Sequence, residues 1–358
     1  DQDVVHTNLS IMGGAVVGRA GRVQCGGCHF YTGGGPNFKH GDLEPSLAKP
    51  TAELDVHMGM VDMRCQDCHK VSKHQVAGLS FATPVVEGRT ACEDCHGSTP
   101  HGITGFLSRH LDDHVRSLSC YACHIPQFAR EYPTLMATDF SQAGRDQQVI
   151  SNTMGLPAYD KKFGALAWGK NVVPEYRWFD GTREIRMVGD KIPTAATVSL
   201  SSPIGERQSP QARIYPFKIH KGVLPYDAER KTLVAPRLWD GYWQDFNWTN
   251  AIAGGMKDMG LPFSGKVGFI KTEMYSGLHH TVPPARQALG CTDCHAVEAV
   301  NCRRCHQKAE GMDQPAHTRM VYPDATNRMN FKALGYQDDP ALIGGRFYMR
   351  LGRGRPPQ

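Results

Sequence analysis

Two cysteines separated by two residues and followed at once by a histidine occur six times in this chain. Thiols at this spacing can form thioether bonds to the two vinyl groups on one edge of a porphyrin, and the adjacent histidine then lies under the iron as an axial ligand. The pattern therefore predicts six covalently attached haem c groups. The predicted attachment cysteines are Cys25, Cys28, Cys65, Cys68, Cys92, Cys95, Cys120, Cys123, Cys291, Cys294, Cys302 and Cys305. The predicted proximal iron ligands are His29, His69, His96, His124, His295 and His306.

Other uses of a Cys-x-x-Cys pair fit the chain less well. A zinc ribbon takes four ligands from two such pairs, but zinc binding gives no reason for a histidine after every pair. A thioredoxin-like dithiol needs one pair near a βαβ pattern, whereas this chain repeats the pair without that pattern. All twelve cysteines of the chain belong to the six motifs. Structural zinc and disulfides therefore stand as minor alternatives to haem attachment.

The composition agrees with a protein organised around large cofactors. The chain of 358 residues has 38 glycines and 23 prolines, and only 40% of its residues are hydrophobic. A haem buries more apolar surface than any side chain, so a lean hydrophobic core and much irregular backbone are expected. The formal charge of +5 omits the haem propionates, which would offset it. The basic balance therefore gives no reason to expect a nucleic-acid partner.

The sequence predicts no transmembrane segment. A membrane-spanning helix requires roughly 20 apolar residues, and the stretch IMGGAVVG at 11–18 is shorter than this and interrupted by glycine. A membrane-bound partner complex is nevertheless compatible with the sequence. Because haem c is attached outside the cytoplasm, we expect an exported protein, periplasmic or extracellular at the cell surface. Its signal peptide would be removed before Asp1.

The density of haem motifs divides the chain into three regions. The first region, residues 1–126, has four motifs; the middle region, residues 127–290, has none; the end region, residues 291–358, has two motifs and a basic tail. In the middle region, EYRWF and TREIRMV flank Asp180-Gly181, which predicts a small β-hairpin. The segment NWTNAIAGGMKDMG predicts a helix. Elsewhere we expect mainly short α-helices and irregular loops wrapped around haems, with the middle region packed on this haem core.

Several long stretches of the chain extend beyond the haem motifs. They are CGGCHFYTGGGPNFKHGDLEPSLAKPTAELDVHMG, CEDCHGSTPH, CHIPQFARE, NVVPEYRWFDG, IYPFKIHKGVLPYD and GLPFSGKVGFIKTEMYSGLHHTVPPARQALGCTDCH. Together they resemble the octahaem tetrathionate reductase family of multihaem c-type cytochromes. The resemblance runs with few gaps from Cys25 to His295, and it implies a multihaem cytochrome c fold.

The chain departs from this family pattern at both ends of the match. Family members have further haem sites ahead of the stretch that begins here at Cys25, including the lysine-ligated haem assigned to substrate binding. Only 24 residues precede Cys25, and they contain no haem motif. In the other direction, the motif from Cys302 to His306 lies beyond the family's last haem. The resemblance therefore implies a hexahaem relative that lacks the N-terminal catalytic haem region.

A low-spin haem needs a second strong axial ligand, which in this setting is usually a histidine. The chain has 17 histidines, of which six are the predicted proximal ligands. The resemblance implies seven candidate distal ligands, enough to fill every axial position of six irons; a histidine from a neighbouring subunit is the alternative source. The seven candidates are His40, His57, His74, His101, His114, His220 and His280.

Three functions fit these expectations. The first is a hexahaem cytochrome that transfers electrons along mostly bis-histidine haems between redox protein partners, without a catalytic residue of its own. The second is a reductase of tetrathionate, nitrite or hydroxylamine at a haem with an open axial site, which the family match favours and the missing catalytic region opposes. The third is a homo-oligomer whose subunits stack into an extracellular filament. Electron transfer is the function that the sequence favours.

Overall fold

The computed structural model describes residues 20–31, 35–72, 75–76, 90–102, 106–294 and 329–336. These ranges contain the whole middle region, the first four haem motifs and the fifth motif as far as Cys294. The sixth motif, from Cys302 to His306, lies outside them. Within the described ranges, no helix combines the length and the apolar character that crossing a membrane requires.

The helices of the first region are short, and most of them coincide with haem motifs. In chain order they are α1 (Arg22–His29), α2 (Val56–Gly59), α3 (Cys65–Cys68), α4 (Glu93–His96), α5 (Phe106–His114) and α6 (Cys120–His124). A turn of 3-10 helix at Pro45–Ala48 and two antiparallel strands, β1 (Val71–Ser72) and β2 (Gln75–Val76), lie between them. This part of the fold agrees with the expectation of short helices and loops.

The middle region is built on a mixed sheet of nine strands. They are β3 (Thr134–Asp139), β4 (Tyr159–Asp160), β5 (Gly164–Gly169), β6 (Glu175–Phe179), β7 (Arg183–Ile185), β8 (Val198–Pro203), β9 (Arg213–Asp227), β10 (Thr232–Leu233) and β11 (Val267–Gly277). The order along the main path is β4-β5-β3-β9-β11-β8-β7, with β6 and β10 also paired to β9. Two of the pairs, β3 with β9 and β8 with β11, are parallel. The long strand β9 is therefore the centre of the sheet.

The sheet corrects the expectation of a small β-hairpin in the middle region. Strands β6 and β7 do flank Asp180 and Gly181, and Gly181 has a φ of +100°. The two strands do not pair with each other, because β6 pairs with β9 and β7 pairs with β8. The backbone of Ile204 accepts a hydrogen bond from Asp180 and donates one to Thr182, so it separates the two strands at the turn. Pairing with the longer, more buried strands β9 and β8 is favoured over a hairpin in which one strand has only three residues.

The helix predicted in the middle region is present as α8 (Trp248–Asp258), after a π-helical turn at Leu238–Tyr242 and the short helix α7 (Trp243–Asp245). The Asn247 side chain accepts a hydrogen bond from the Asn250 backbone at 3.1 Å and starts α8. Ile252 and Met256 lie on its buried face. A 3-10 turn at Ala285–Gln287 then leads to α9 (Cys291–Cys294), the described part of the fifth motif.

Strand β9 and its neighbour β6 contact both other regions. Ser119 donates a backbone hydrogen bond to Ile214, and Ile214 donates one to Ser117, at 3.0 and 2.7 Å. These bonds attach the chain just ahead of α6 to the sheet. On β6, the Trp178 ring nitrogen donates to the backbone oxygen of Leu334 at 2.9 Å, within a shared apolar cluster. The sheet thus fixes the fourth haem motif and the end segment 329–336.

Candidate haem sites

Local hydrogen bonds form the attachment motifs into helical turns. In three motifs, the residue before the second cysteine is an aspartate whose carboxylate accepts a hydrogen bond from the backbone N–H three residues earlier. The pairs are Asp67 with Arg64, Asp94 with Ala91 and Asp293 with Gly290, at 2.7, 2.8 and 2.8 Å. Such a contact stabilises the first turn of a helix. Because residues three and four positions apart share a helix face, this geometry places both cysteines and the histidine of the second and third motifs on one side.

Three of the predicted proximal histidines each face a second histidine across a narrow gap. In every case the second histidine is one of the distal ligands predicted from the sequence. The distances between ring centres are 6.1 Å for His69 with His280, 6.1 Å for His96 with His57, and 6.4 Å for His124 with His101. The partners come from distant parts of the chain, so the fold and not the local sequence brings them together.

The spacing of these rings suits a metal ion between them. A first-row metal lies about 2 Å from an imidazole nitrogen, and this nitrogen lies about 1 Å from its ring centre, so two axial imidazoles have ring centres about 6 Å apart. The three pairs meet this requirement. The residues present therefore fit haem iron with two histidine ligands at three of the predicted sites.

Carboxylates fix the ring orientation of two of the three distal candidates that belong to these pairs. The Nδ1 atom of His101 lies 2.8 Å from Asp112 Oδ1, and that of His280 lies 3.2 Å from Asp42 Oδ2. An ionised carboxylate only accepts hydrogen bonds, so these rings carry their hydrogen on Nδ1 and offer the Nε2 lone pair to a metal. At the third site, Asp55 Oδ1 is 3.9 Å from His57 Nδ1, too far for a hydrogen bond.

Asp42 is held by the same backbone segment that carries His280. Its Oδ2 atom accepts hydrogen bonds from the backbone N–H groups of His279 and His280 at 2.7 and 3.0 Å. Its side chain is only 2% exposed. Burial alone would raise the pKa of Asp42, but the hydrogen bonds from the His280 ring and the His279 backbone outweigh burial and leave the pKa below its ordinary value. Asp42 is therefore a fixed, ionised partner of His280.

A buried lysine on β9 supports the loop that carries Asp42. The Lys218 amine donates hydrogen bonds to the backbone oxygens of Phe38 and Lys39 at 3.1 and 2.9 Å, and to the Thr134 hydroxyl at 2.5 Å. Burial lowers the pKa of Lys218 to about 7, and the nearby Asp42 carboxylate opposes this shift. Lys218 is thus one of the contacts that anchor the first region to the sheet.

The first cysteines of successive motifs lie next to each other. The sulfur atoms of Cys92 and Cys120 are within 4.8 Å of each other. As free thiols they share a hydrogen bond that raises the pKa of Cys120 and lowers that of Cys92. Cys25 and Cys65 also contact each other; burial and the neighbouring Cys25 raise the pKa of the Cys65 thiol. The predicted attachment points of the first and second motifs are therefore neighbours, as are those of the third and fourth.

The remaining predicted ligands are not members of these three pairs. His29 and His114 are the last residues of α1 and α5. His40 lies in the loop beside Asp42, and burial lowers its pKa. On β9, His220 has Nδ1 3.1 Å from the Leu135 carbonyl and Nε2 3.3 Å from the Thr138 hydroxyl, and burial lowers its pKa to about 4. The residues outside the described ranges are His74, His295, Cys302, Cys305 and His306.

Sequence reasoning did not identify Asp42, Asp112 or Lys218. For the two aspartates a signal was available, because metal-ligating histidines usually donate their second ring nitrogen to a carboxylate or a carbonyl. Asp42 comes two residues after a candidate ligand, and Asp112 lies in the helix that follows another. Lys218 gave no signal, since a lysine within a strand is ordinarily exposed.

A model of the bacterial cytochrome c family matches residues 135–298. The chain also matches the crystal structure of octahaem cytochrome c from Shewanella oneidensis, with a TM-score of 0.75 and 36% identity over 90% of this chain and 68% of that chain. The chain belongs to the octahaem cytochrome c family. The family resemblance inferred from the sequence is thereby confirmed, and this cytochrome carries covalently bound haem c.

A second relative shares a shorter segment with this cytochrome. An uncharacterized protein of Archaeoglobus fulgidus is 31% identical over 90 residues, which are 25% of this chain and 30% of that protein. The match spans less than a third of that relative. It adds no residue role to the haem sites described above.

Proposed function

We propose that this cytochrome is a hexahaem electron-transfer protein that carries electrons along mostly bis-histidine haems between redox partners. Bound haem c supplies a one-electron iron couple. The proposal rests on the spacing of three histidine pairs, His69 with His280, His96 with His57 and His124 with His101. Two protein ligands on one iron leave no position for a substrate, so the chemistry that remains is outer-sphere electron transfer.

The attachment cysteines support a continuous path through the first region. Cys25 contacts Cys65, and Cys92 lies beside Cys120, so two pairs of sites share neighbouring attachment points. Burial lowers the pKa of His124, and electrostatic interactions with His101, His96 and His57 add to this effect. The third and fourth sites are accordingly side by side. Electron tunnelling falls off steeply with distance, and close neighbours are what such transfer needs.

The remaining axial positions belong to the same proposal. His29, His295 and His306 each need a distal ligand, and four predicted candidates are left for them: His40, His74, His114 and His220. There is thus one candidate more than the three irons require, and every iron can have two histidine ligands. We accordingly assign no catalytic residue to this chain.

The setting of this cytochrome is proposed on chemical grounds. Haem c is attached outside the cytoplasm, so an exported protein in the periplasm or at the cell surface is expected. Its partners would be redox proteins, a membrane-bound complex or further copies of the chain. The middle region is proposed to pack on the haem core, a proposal supported by the hydrogen bonds of Lys218 and Ile214 to the first region.

The first experiment counts the cofactors. The mass of the denatured, intact protein should show six haem additions, since thioether bonds survive denaturation. A count of five or fewer would refute the hexahaem assignment, with the sixth motif at Cys302 and Cys305 as the first to doubt. Electron microscopy of the same sample separates a carrier from a filament, because a filament is visible.

The second experiment separates a carrier from a reductase. Electron paramagnetic resonance of the oxidised protein should show low-spin iron, and assays with a reduced dye should show no oxidation that depends on tetrathionate, nitrite or hydroxylamine. A high-spin signal equal to one haem, together with substrate-dependent dye oxidation, would replace the carrier with a reductase. Small redox acceptors should still be reduced, because outer-sphere transfer needs no open ligand position.

A further inference from the structure

The three distal histidines differ in what their Nδ1 atoms contact. His280 is hydrogen-bonded to Asp42, and His101 to Asp112, at 3.2 and 2.8 Å. The carboxylate next to His57 is Asp55, whose oxygens instead accept hydrogen bonds from the Met58 and Val282 backbones at 2.9 and 3.1 Å. Two of the three rings therefore have a negative charge at their outer nitrogen.

A carboxylate in this position changes the ligand that the iron meets. Accepting the Nδ1 hydrogen draws positive charge away from the ring and makes Nε2 more basic. A more basic ligand stabilises the ferric state more than the ferrous state. The reduction potential of an iron bound to such a ring is therefore lowered.

The surroundings of the two carboxylates are unequal. Asp42 is 2% exposed and Asp112 is 12% exposed, so water screens Asp112 more. Asp42 is also immobilised by two backbone N–H groups, those of His279 and His280. Lys218 and His40 lie near Asp42 as well, but the Lys218 amine directs its hydrogen bonds to Phe38, Lys39 and Thr134. The stronger effect is therefore expected at Asp42.

We propose that Asp42, and more weakly Asp112, are positioning residues that lower the reduction potentials of the irons bound by His280 and His101. The site bound by His57 has no such residue among the described contacts. Electrons on the path would then reduce the iron at the His57 site preferentially, and the iron at the His280 site would be reduced only transiently. The inference rests on the proposed function, because it takes these histidines as distal ligands.

The test is a redox titration of the holoprotein with Asp42→Asn, Asp112→Asn and Asp55→Asn. Asparagine keeps the size and the acceptor oxygen but removes the charge. Asp42→Asn should raise the potential of one haem so that its ratio of reduced to oxidised iron at a fixed potential rises at least tenfold, which is about 59 mV for one electron. Asp112→Asn should give a smaller shift in the same direction, and Asp55→Asn should shift the potentials less than Asp42→Asn, because Asp55 makes no hydrogen bond to the His57 ring.

Two outcomes would overturn the inference. One is a folded Asp42→Asn protein whose potentials equal those of the wild type. If Asp42→Asn does not accumulate, the second outcome is a folded Asp112→Asn protein whose reduction potentials equal those of the wild type. Neither outcome removes His280 as a ligand. That separate question is answered by the spin state of His280→Ala, so failure of this inference and failure of the ligand assignment are distinguishable.

Discussion

The first region and the middle region hold their histidines by different means. His69, His96 and His124 lie at the ends of helical turns only four or five residues long, so their positions within the motifs are set by nearby residues. His280 follows the 11-residue strand β11, whose position depends on β8 and β9. The predicted proximal ligands are therefore encoded locally, whereas the position of His280, a predicted distal ligand, depends on tertiary structure.

The two regions also depend on each other for buried polar partners. Lys218 on the sheet donates to backbone oxygens of Phe38 and Lys39 in the first region. In return, Asp42 of the first region accepts from the backbone of His279 and His280 in the middle region. A buried charge that loses its partners is strongly destabilising. Neither region is therefore expected to fold stably without the other.

The largest expected effect is loss of folding in the isolated middle region. Residues 127–290 expressed alone would lose two of the three acceptors of the Lys218 amine, at a cost of about 1.5–3 kcal/mol for each hydrogen bond to the charged amine, against a stability of about 5–15 kcal/mol for a typical domain. We expect no cooperative transition in a urea titration followed by circular dichroism, with the intact holoprotein as control. A stable fragment with a sharp transition would show that the sheet is a separate module.

A smaller effect, of a few kcal/mol in the free energy of unfolding, is expected from the protonation of Lys218. Its pKa is about 7 in the folded protein and 10.5 ordinarily. Between these values the unfolded chain binds the extra proton, so the stability contributed by this position rises with pH, by at most about 1.4 kcal/mol per pH unit. The free energy of unfolding of the wild type, minus that of Lys218→Met, should increase from pH 7 to 10.5.

The matched control for this measurement is Lys221→Met, an exposed lysine on the same strand. Its difference from the wild type should not change over the same range. A flat difference for Lys218→Met as well would mean that Lys218 is protonated throughout, and that the connection between the regions contains a full positive charge.

The smallest expected effect is a change at one iron. His280→Ala should leave six haems attached, because attachment depends on the cysteines and the proximal histidine, and should convert one haem from low spin to high spin. Loss of the ring also removes one of three donors to Asp42, at a cost of about 1 kcal/mol. His279→Ala, in the adjacent position, should leave every haem low spin. An unchanged spectrum in His280→Ala would exclude His280 as a ligand.

The attachment motifs and helix α8 could be predicted because their signals are short-range. The sheet could not, since its central strand contains Pro216, Gly222 and Pro225 and has Lys218 buried on it. This composition hides the alternation by which a strand is usually recognised. The parallel pairs of β3 with β9 and of β8 with β11 join segments that are far apart in the chain, and no local pattern encodes them.

The sequence names the candidate ligands but does not indicate how they pair. His57, His101 and His280 were all named as distal candidates, yet nothing in the sequence says which proximal histidine each one faces. That information lies in contacts between regions, such as the backbone hydrogen bond from Val56 to Val282 at 2.9 Å, which attaches α2 to the segment after β11.

The tilt between paired imidazole planes has a spectroscopic consequence. The planes differ by 16° for His101 with His124 and by 26° for His69 with His280, but by 76° for His57 with His96. Near-parallel rings interact with one of the two iron d orbitals of π symmetry and split their energies, whereas crossed rings leave these orbitals almost degenerate. Iron between His57 and His96 would therefore absorb at much lower magnetic field than its neighbours. Its oxidation state can then be read separately, in the unmodified protein.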